Sequence, residues 1–263
     1  MKKFLALLLC LTLALTAVFT LASCNKDEGG DDGEEIDLAA GSTQQYFETG
    51  NEHGDKFEYE IINGDEIAII GFAGSHKPHA ITVPAVIDDR DVTTIAVGAF
   101  YQLSNINSVT LPNSVTEIGD LAFAGCTALT TITLSTATAE IGEGAFSGCV
   151  ALTTISLPAG VTAIPARAFF GCTALTTIAA PGVTAIGEQA MMNCAKLTTL
   201  SGAAFVKVDE FAFFGCALVS GLDFSAVTSI GDYAFTNCAA LAKPTLGADV
   251  TVGTNAFYVD TIG

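Results

Sequence analysis

The sequence predicts a solenoid, a stack of short coils that are each too small to bury an apolar face alone and do so only against their neighbours. Three observations carry this. An Ala-Phe unit recurs at Phe100, Phe123, Phe146, Phe169, Phe213, Phe235 and Phe257, with Met191 in the remaining place; the period is 23 residues and shortens to 22 after Phe169. A branched aliphatic column runs in step with it through Ile95, Ile118, Ile141, Ile164, Ile186, Val208, Ile230 and Val252. Two more columns keep the same register: Cys126, Cys149, Cys172, Cys194, Cys216 and Cys238, and Ile106, Leu129, Leu152, Leu175, Leu197, Val219 and Leu241. Where a column varies it exchanges one apolar residue for another, as a core of fixed volume requires.

A solenoid grows by addition, so the 263 residues are read as one folded domain whose size is set by the repeat count. From Cys24 onward the chain holds 8 basic and 28 acidic residues, a net charge of −20. That balance argues against nucleic acid and against an anionic lipid surface as partners. No stretch after residue 23 is apolar for the ~20 residues that a spanning helix needs.

Taken in order, residues 1–23 open with Lys2-Lys3 and continue in the apolar run Phe4 to Leu21, a charged region followed by an apolar one, which is the pattern of a secretory leader. The leader ends in Leu21-Ala22-Ser23-Cys24, which resembles the lipobox of bacterial lipoproteins. By that resemblance Cys24 is the first mature residue and carries a diacylglyceryl anchor. Residues 24–44 are acidic and glycine-rich and have too little apolar surface to fold, so they are expected to form a solvated tether. The lysine and acids directly behind Cys24 also resemble the signal that sends some lipoproteins to the cell exterior.

Residues 45–97 are expected to cap the stack. Phe57 to Ile61 and Ile67 to Ile70 flank Asn63-Gly64, a hairpin signal because a type I′ turn needs positive φ at both central residues. Laid over the first coil, such a hairpin removes an exposed apolar end. Ile81 to Pro84 and Val92 to Ile95 read as a half repeat interrupted by the acidic loop Asp88-Asp89-Arg90-Asp91. The repeats then fill residues 98–263. In the last coil Asp260 and Gly263 stand where Cys and Leu recur, which is the polar change a terminal cap needs.

The unit Ala-Phe-x-Gly-Cys-x-x-Leu-Thr-x-Ile-x-Leu-Pro-x-x-Val-Thr-x-Ile-Gly resembles the BspA-like class of bacterial leucine-rich repeats over about residues 80–263. The resemblance implies a right-handed leucine-rich-repeat solenoid with short parallel strands at Leu-x-x-Ile-x-Leu, a second strand near Val-Thr-x-Ile and a short helical turn at Ala-Phe. It also implies a surface or secreted protein that binds macromolecules outside the cell. Stacked strands lie ~4.8 Å apart, so about eight coils make a rod on the order of 40 Å long. Met191-Met192 for Phe, Ala180 and Gly202 for Leu, and Pro244 for Ile depart from the unit and place any irregularity in the second half.

The six repeat cysteines sit in an exported chain, which invites disulfides. Equivalent positions on successive coils point the same way, whereas a disulfide needs converging Cβ atoms ~3.8 Å apart. Parallel thiols are also poor tetrahedral zinc ligands. They are read as buried, unpaired and small. His53, His76 and His79 all precede the repeats; His76 and His79 could offer two metal ligands, but Pro78 and the want of a third favour a loop. Asp88, Asp89 and Asp91 could hold calcium, or simply form a solvated turn. No nucleophile elbow, phosphate loop or paired catalytic carboxylates appear, so the chain is not expected to be an enzyme and no cofactor is expected.

On the strand implied for the concave side, the outward positions are Thr130, Thr131 and Thr133, then Thr153, Thr154 and Ser156, then Thr176, Thr177 and Ala179, then Thr198, Thr199 and Ser201. Threonine suits exposed strands without any function. The sharper reading is a binding surface for an extracellular protein or glycan; a threonine array that orders water at ice is opposed by curvature and by Gly221, Asp223 and Lys243. The function expected is therefore a non-catalytic, lipid-anchored surface binding module. A structural envelope protein or a glycan-capture lipoprotein are the alternatives.

Overall fold

The structure is a computed structural model and describes residues 45–75, 77, 79–217, 222–242 and 244–259. The leader, Cys24, the tether, His76, Val219, Gly221, Lys243, Asp260 and Gly263 lie outside the described residues.

Strands β1 (Gln45–Glu48), β2 (Lys56–Ile62) and β3 (Glu66–Ala73) run antiparallel in sequence order. The β2–β3 turn has Asn63 at φ 51° and Gly64 at φ 84°, as the sequence requires, but the loop takes in Asp65 as well, since Ile62 pairs with Glu66. β4 (His79–Thr82), β5 (Val86–Ile87) and β6 (Arg90–Ile95) form the half repeat. Its acidic loop is a tight hairpin: Ile87 pairs with Arg90, and Asp88 and Asp89 take left-handed φ of 50° and 62°. The Asp88 carboxylate accepts the Tyr59 hydroxyl at 2.5 Å, which raises the phenol's pKa. The hairpin covers the end of the stack by continuing it: β3 pairs in parallel with β6 and supplies the first rung of a ladder, and Phe57 and Phe72 pack on Phe100.

Each coil thereafter contributes up to two short strands: β7 (Ile106–Thr110) and β8 (Glu117–Ile118), β9 (Thr131–Thr133) and β10 (Glu140–Ile141), β11 (Thr154–Ser156) and β12 (Ala163–Ile164), β13 (Thr177–Ala179) and β14 (Ala185–Ile186), β15 (Thr199–Ser201) and β16 (Lys207–Val208), then β17 (Ser229–Ile230) and β18 (Thr251–Val252) alone. All coil-to-coil pairings are parallel and in register, Thr154 with Thr177 with Thr199, and Ile164 with Ile186 with Val208. The one-residue shortening after Phe169 falls in the corner Ala180-Pro181-Gly182, which leaves both ladders in step. Among the described residues the irregularity expected in the second half falls in the first-strand ladder, which past β15 shows an isolated bridge from Ala204 to Asp223, while the second ladder runs on to β18.

The core is the set of columns. Phe100, Phe123, Phe146 and Phe169 are fully buried, and their rings stack at 4.9, 5.5 and 5.4 Å between centroids with interplanar angles of 11°, 1° and 5°. Met191 fills the same column without exposure, and Phe213, Phe235 and Phe257 resume the stack at 4.9 and 5.2 Å.

The helical turn expected at Ala-Phe is replaced by a run of non-helical turns, and the described residues contain no helix. Around Phe123, the N–H groups of Leu121, Phe123 and Gly125 donate to Glu143, Ala145 and Ser147 of the next coil at 2.9, 2.8 and 2.7 Å. The alternate N–H groups, those of Ala122, Ala124 and Cys126, donate three residues back at 3.3, 3.0 and 3.2 Å. A helix would spend every donor inside the segment and leave nothing for the neighbouring coil. Left-handed backbone at Leu121 (φ 55°) and Gly125 (φ 74°) allows the alternation. Coils meet so closely at the following corner that a Cβ on Gly119 would sit 2.7 Å from the Val97 nitrogen.

One seam interrupts this pattern. Among the described residues neither ladder joins the coil of β9 and β10 to the coil of β11 and β12. Pro165 stands where Gly119, Gly142 and Gly187 donate to the preceding coil, and it has no N–H to give. On the other side, the Ser135 and Thr138 hydroxyls donate backward to Asn113 and Val115 at 3.0 and 3.1 Å and hold their corner toward the coil before. Turn bonds still cross the seam, as does the Phe123–Phe146 ring contact.

Candidate functional site: the hydroxyl face of the first-strand ladder

Strand alternation sets this face. In β9, β11, β13 and β15 the central Ile132, Ile155, Ile178 and Leu200 point into the core, and their neighbours point out. The structure brings all eleven expected hydroxyl residues to one surface in three columns. Thr130, Thr131, Thr133, Thr153, Thr154, Ser156 and Ser201 are exposed, whereas Thr176, Thr177, Thr198 and Thr199 are half-buried. β7 extends the face with Asn107, Ser108 and Thr110, and Ser108 and Thr110 pair with Thr131 and Thr133. The sequence reading missed these three because it started from the cleanest copies.

The first column is less free than it looks in the sequence. Thr130, Thr153, Thr176 and Thr198 donate their Oγ1 hydrogens to the carbonyls of Asn107, Thr130, Thr153 and Thr176, each on the preceding coil, at 2.9, 3.4, 3.0 and 3.1 Å. These hydroxyls keep only their acceptor capacity for a partner and present their methyl groups in a fixed row. Thr131, Thr154, Thr177 and Thr199 form the second column, and Thr133, Ser156 and Ser201 form the third, with Ala179 between. No charged side chain interrupts Thr130 to Ser201 in these columns.

Charge lies elsewhere. Glu188, Glu210 and Asp232 occupy equivalent positions of successive coils; partial desolvation and the two flanking carboxylates raise the pKa of Glu210. Arg167 lies 3.7 Å from Glu188, and Lys207 lies 2.7 Å from Asp209.

The six repeat cysteines are free and buried. Each thiol donates to the carbonyl of the preceding coil's column residue: Cys149 to Phe123, Cys172 to Phe146 and Cys216 to Met191, at 3.1, 3.1 and 3.2 Å. Cysteine is thus both small enough for the column and able to give one weak hydrogen bond, which alanine cannot. Burial pushes the Cys126 and Cys238 thiols up to about 12, and the inner thiols still higher. Among the described residues no group of three or more His, Cys, Asp or Glu could hold a metal ion. His79 turns inward onto Asp55, a contact across 24 residues that no local motif announces.

The BspA type leucine rich repeat region matches residues 72–198 and 139–262, in six copies. The chain belongs to this family of repeat proteins. It is similar to the solved T. pallidum leucine rich repeat protein, with 30% identity over 71% of this chain and 88% of that one and a TM-score of 0.63. It is also similar to a leucine rich cell surface protein of Faecalibacterium prausnitzii A2-165, with 28% identity over 82% of this chain and 57% of that one and a TM-score of 0.65. A leucine-rich repeat protein from Bacteroides ovatus shares the fold at 21% identity, with a TM-score of 0.55 over 77% of this chain and 67% of that one. No curated protein matches.

Proposed function

We propose that this protein is a non-catalytic binding module displayed on the outer face of a bacterial cell and held there by a lipid on Cys24. The repeat family and the cell-surface description of the F. prausnitzii relative support an interaction role outside the cell. The observation that carries the reading is the hydroxyl face: an uncharged surface of short side chains, held in register by parallel pairing on either side of the seam and by threonine-to-carbonyl bonds, one of which crosses it. Such side chains lose little rotamer freedom on contact, so a large extracellular protein or glycan can lie along them at small entropic cost. Leader and lipobox supply the route to the surface.

The test is binding of the purified chain to a panel of extracellular matrix proteins and neutral polysaccharides, alongside the variant Thr154→Lys/Thr177→Lys. The reading expects at least one partner whose binding is lost in the variant while the circular dichroism spectrum is unchanged. Equal binding by both proteins would move the site off this face. Protease shaving of intact cells and detergent partitioning of Cys24→Ala test display and anchor separately.

A further inference from the structure

A second aromatic cluster lies in the turns of the later coils, away from the hydroxyl columns. Phe211 and Tyr233 hold equivalent positions on successive coils and their rings stack at 5.0 Å and 3°, while Phe214 meets Phe211 edge-on at 5.7 Å. All three are half-buried, so this stack stands outside the buried column of Phe213 and Phe235. The backbone gives no reason for rings here. Every residue of the column is left-handed, with φ of 56° at Phe211 and 55° at Tyr233, a conformation that suits Gly98, Gly144 and Asn255 at the equivalent places and disfavours bulky side chains.

The same column already holds one guanidinium. Arg167 stands in it one coil before Gln189; its Nε donates to Gln189 Oε1 at 3.0 Å, and its Nη2 lies 3.7 Å from the Glu188 carboxylate. The column therefore runs Arg167, Gln189, Phe211, Tyr233 and Asn255, closed at one end by a cation held between an amide and an acid. At the other end, among the described residues, no ring covers the Tyr233 face turned away from Phe211, and Asn255 and Tyr258 of the next coil are exposed. Carboxylates border this open end. Asp232 precedes Tyr233, accepts the Thr254 amide on Oδ1 at 2.6 Å, and has its carbonyl 3.0 Å from the Phe211 amide. Among the described residues its second carboxylate oxygen and the Glu210 carboxylate have no hydrogen-bond or ion-pair partner.

We propose that the open end of the Phe211–Tyr233 stack binds an arginine side chain of a partner protein, whose guanidinium lies on the outer face of Tyr233 and pairs with Asp232. A guanidinium is planar, so it can lie on a ring and still give N–H donors to a carboxylate in its own plane, which a compact ammonium cannot do equally well. Glu210, one coil back, adds attraction without touching the cation, and the net charge of −20 from Cys24 onward draws cationic segments toward the chain. The site stands apart from the hydroxyl face and selects a different chemistry.

Nuclear magnetic resonance titration of the purified chain with the peptide acetyl-Gly-Arg-Gly-Arg-Gly-amide tests this. The Tyr233 ring protons should shift, and the same peptide with lysine in place of arginine should bind at least about threefold more weakly. Tyr233→Leu, which keeps an apolar neighbour for Phe211 but has no ring face, should weaken binding of the arginine peptide about three- to tenfold. Asp232→Asn, whose Oδ1 still accepts the Thr254 amide, should do the same and stands in if the first variant misfolds. Asp120→Asn/Glu143→Gln removes two acids of the same column where Leu121 and Gly144 replace the rings, and should leave the affinity within about twofold. Equal binding of the two peptides, a loss in the Asp120/Glu143 variant as large as in Asp232→Asn, or a Tyr233 ring that does not respond would reduce the contact to general attraction by an acidic surface and overturn the proposal.

Discussion

Removing one phenyl ring from the middle of the stack and one from its end should have very different effects. Phe146 is fully buried between Phe123 and Phe169, with centroids at 5.5 and 5.4 Å and both neighbours nearly parallel. Phe146→Ala loses the transfer free energy of the ring and leaves a cavity that rigid coils on both sides cannot close, which costs about 3 to 5 kcal/mol. Phe257 is only partly buried and, among the described residues, stacks in parallel on Phe235 at 5.2 Å, with an edge contact to Phe224 at 6.4 Å. Half the burial and a single parallel stack put Phe257→Ala at about 1 to 2 kcal/mol. Coils couple to nearest neighbours, so the central loss also uncouples two blocks, whereas the terminal one only shortens the array. Urea titration followed by circular dichroism reads both: the central variant should shift the whole transition, the terminal one chiefly its foot. Equal free-energy losses at the two sites would refute the nearest-neighbour reasoning.

Four further outcomes follow from the same contacts. The six repeat thiols should resist iodoacetamide in the native protein through about pH 9 and all react after denaturation, and mass spectrometry should find no bridge between them. Their folded values are raised above the ordinary 9.0, to about 12 for Cys126, so the stability from burying neutral thiols is complete below 9.0 and declines as pH climbs toward 12. Cys172→Ala should cost about 1 to 2 kcal/mol in chemical denaturation, because it orphans one bond to the Phe146 carbonyl and leaves a small void. Thr154→Lys/Thr177→Lys puts like charges on paired strand positions and should cost less than about 1 kcal/mol of stability while abolishing partner binding, and added salt should change the native affinity little.

Periodicity made the repeats legible because a ladder forces equivalent residues into equivalent surroundings. Column membership therefore showed the buried phenylalanines, the unpaired cysteines and the outward threonines before any coordinates. What it hid was hydrogen bonding between coils. Thr153 and Thr154 look alike in sequence, yet one hydroxyl is spent on the Thr130 carbonyl and the other is not, because they sit at different angles to the coil before. The short helical turn that the family resemblance implies at Ala-Phe does not form for the same reason, which only the donors' partners on the next coil reveal. The Asp55–His79 contact lies outside the repeat, where no register exists to reveal it.

The seam at Pro165 also has a mechanical meaning. Ladder hydrogen bonds point along the stacking axis, so a pull from one end of the array to the other passes through every coil boundary in series and is limited by the weakest. Among the described residues no strand pairing spans this boundary, and the bonds from the Thr153 amide and hydroxyl to the Thr130 carbonyl, the turn bonds, the Cys149 thiol contact and the packed rings carry the load. Under a pull along the stack, such as the proposed anchor and partner would apply, the array should yield first between Ile141 and Ile164. It would part into an N-terminal block that keeps the cap and a C-terminal block that keeps most of the hydroxyl face, and it would spare both from unravelling coil by coil.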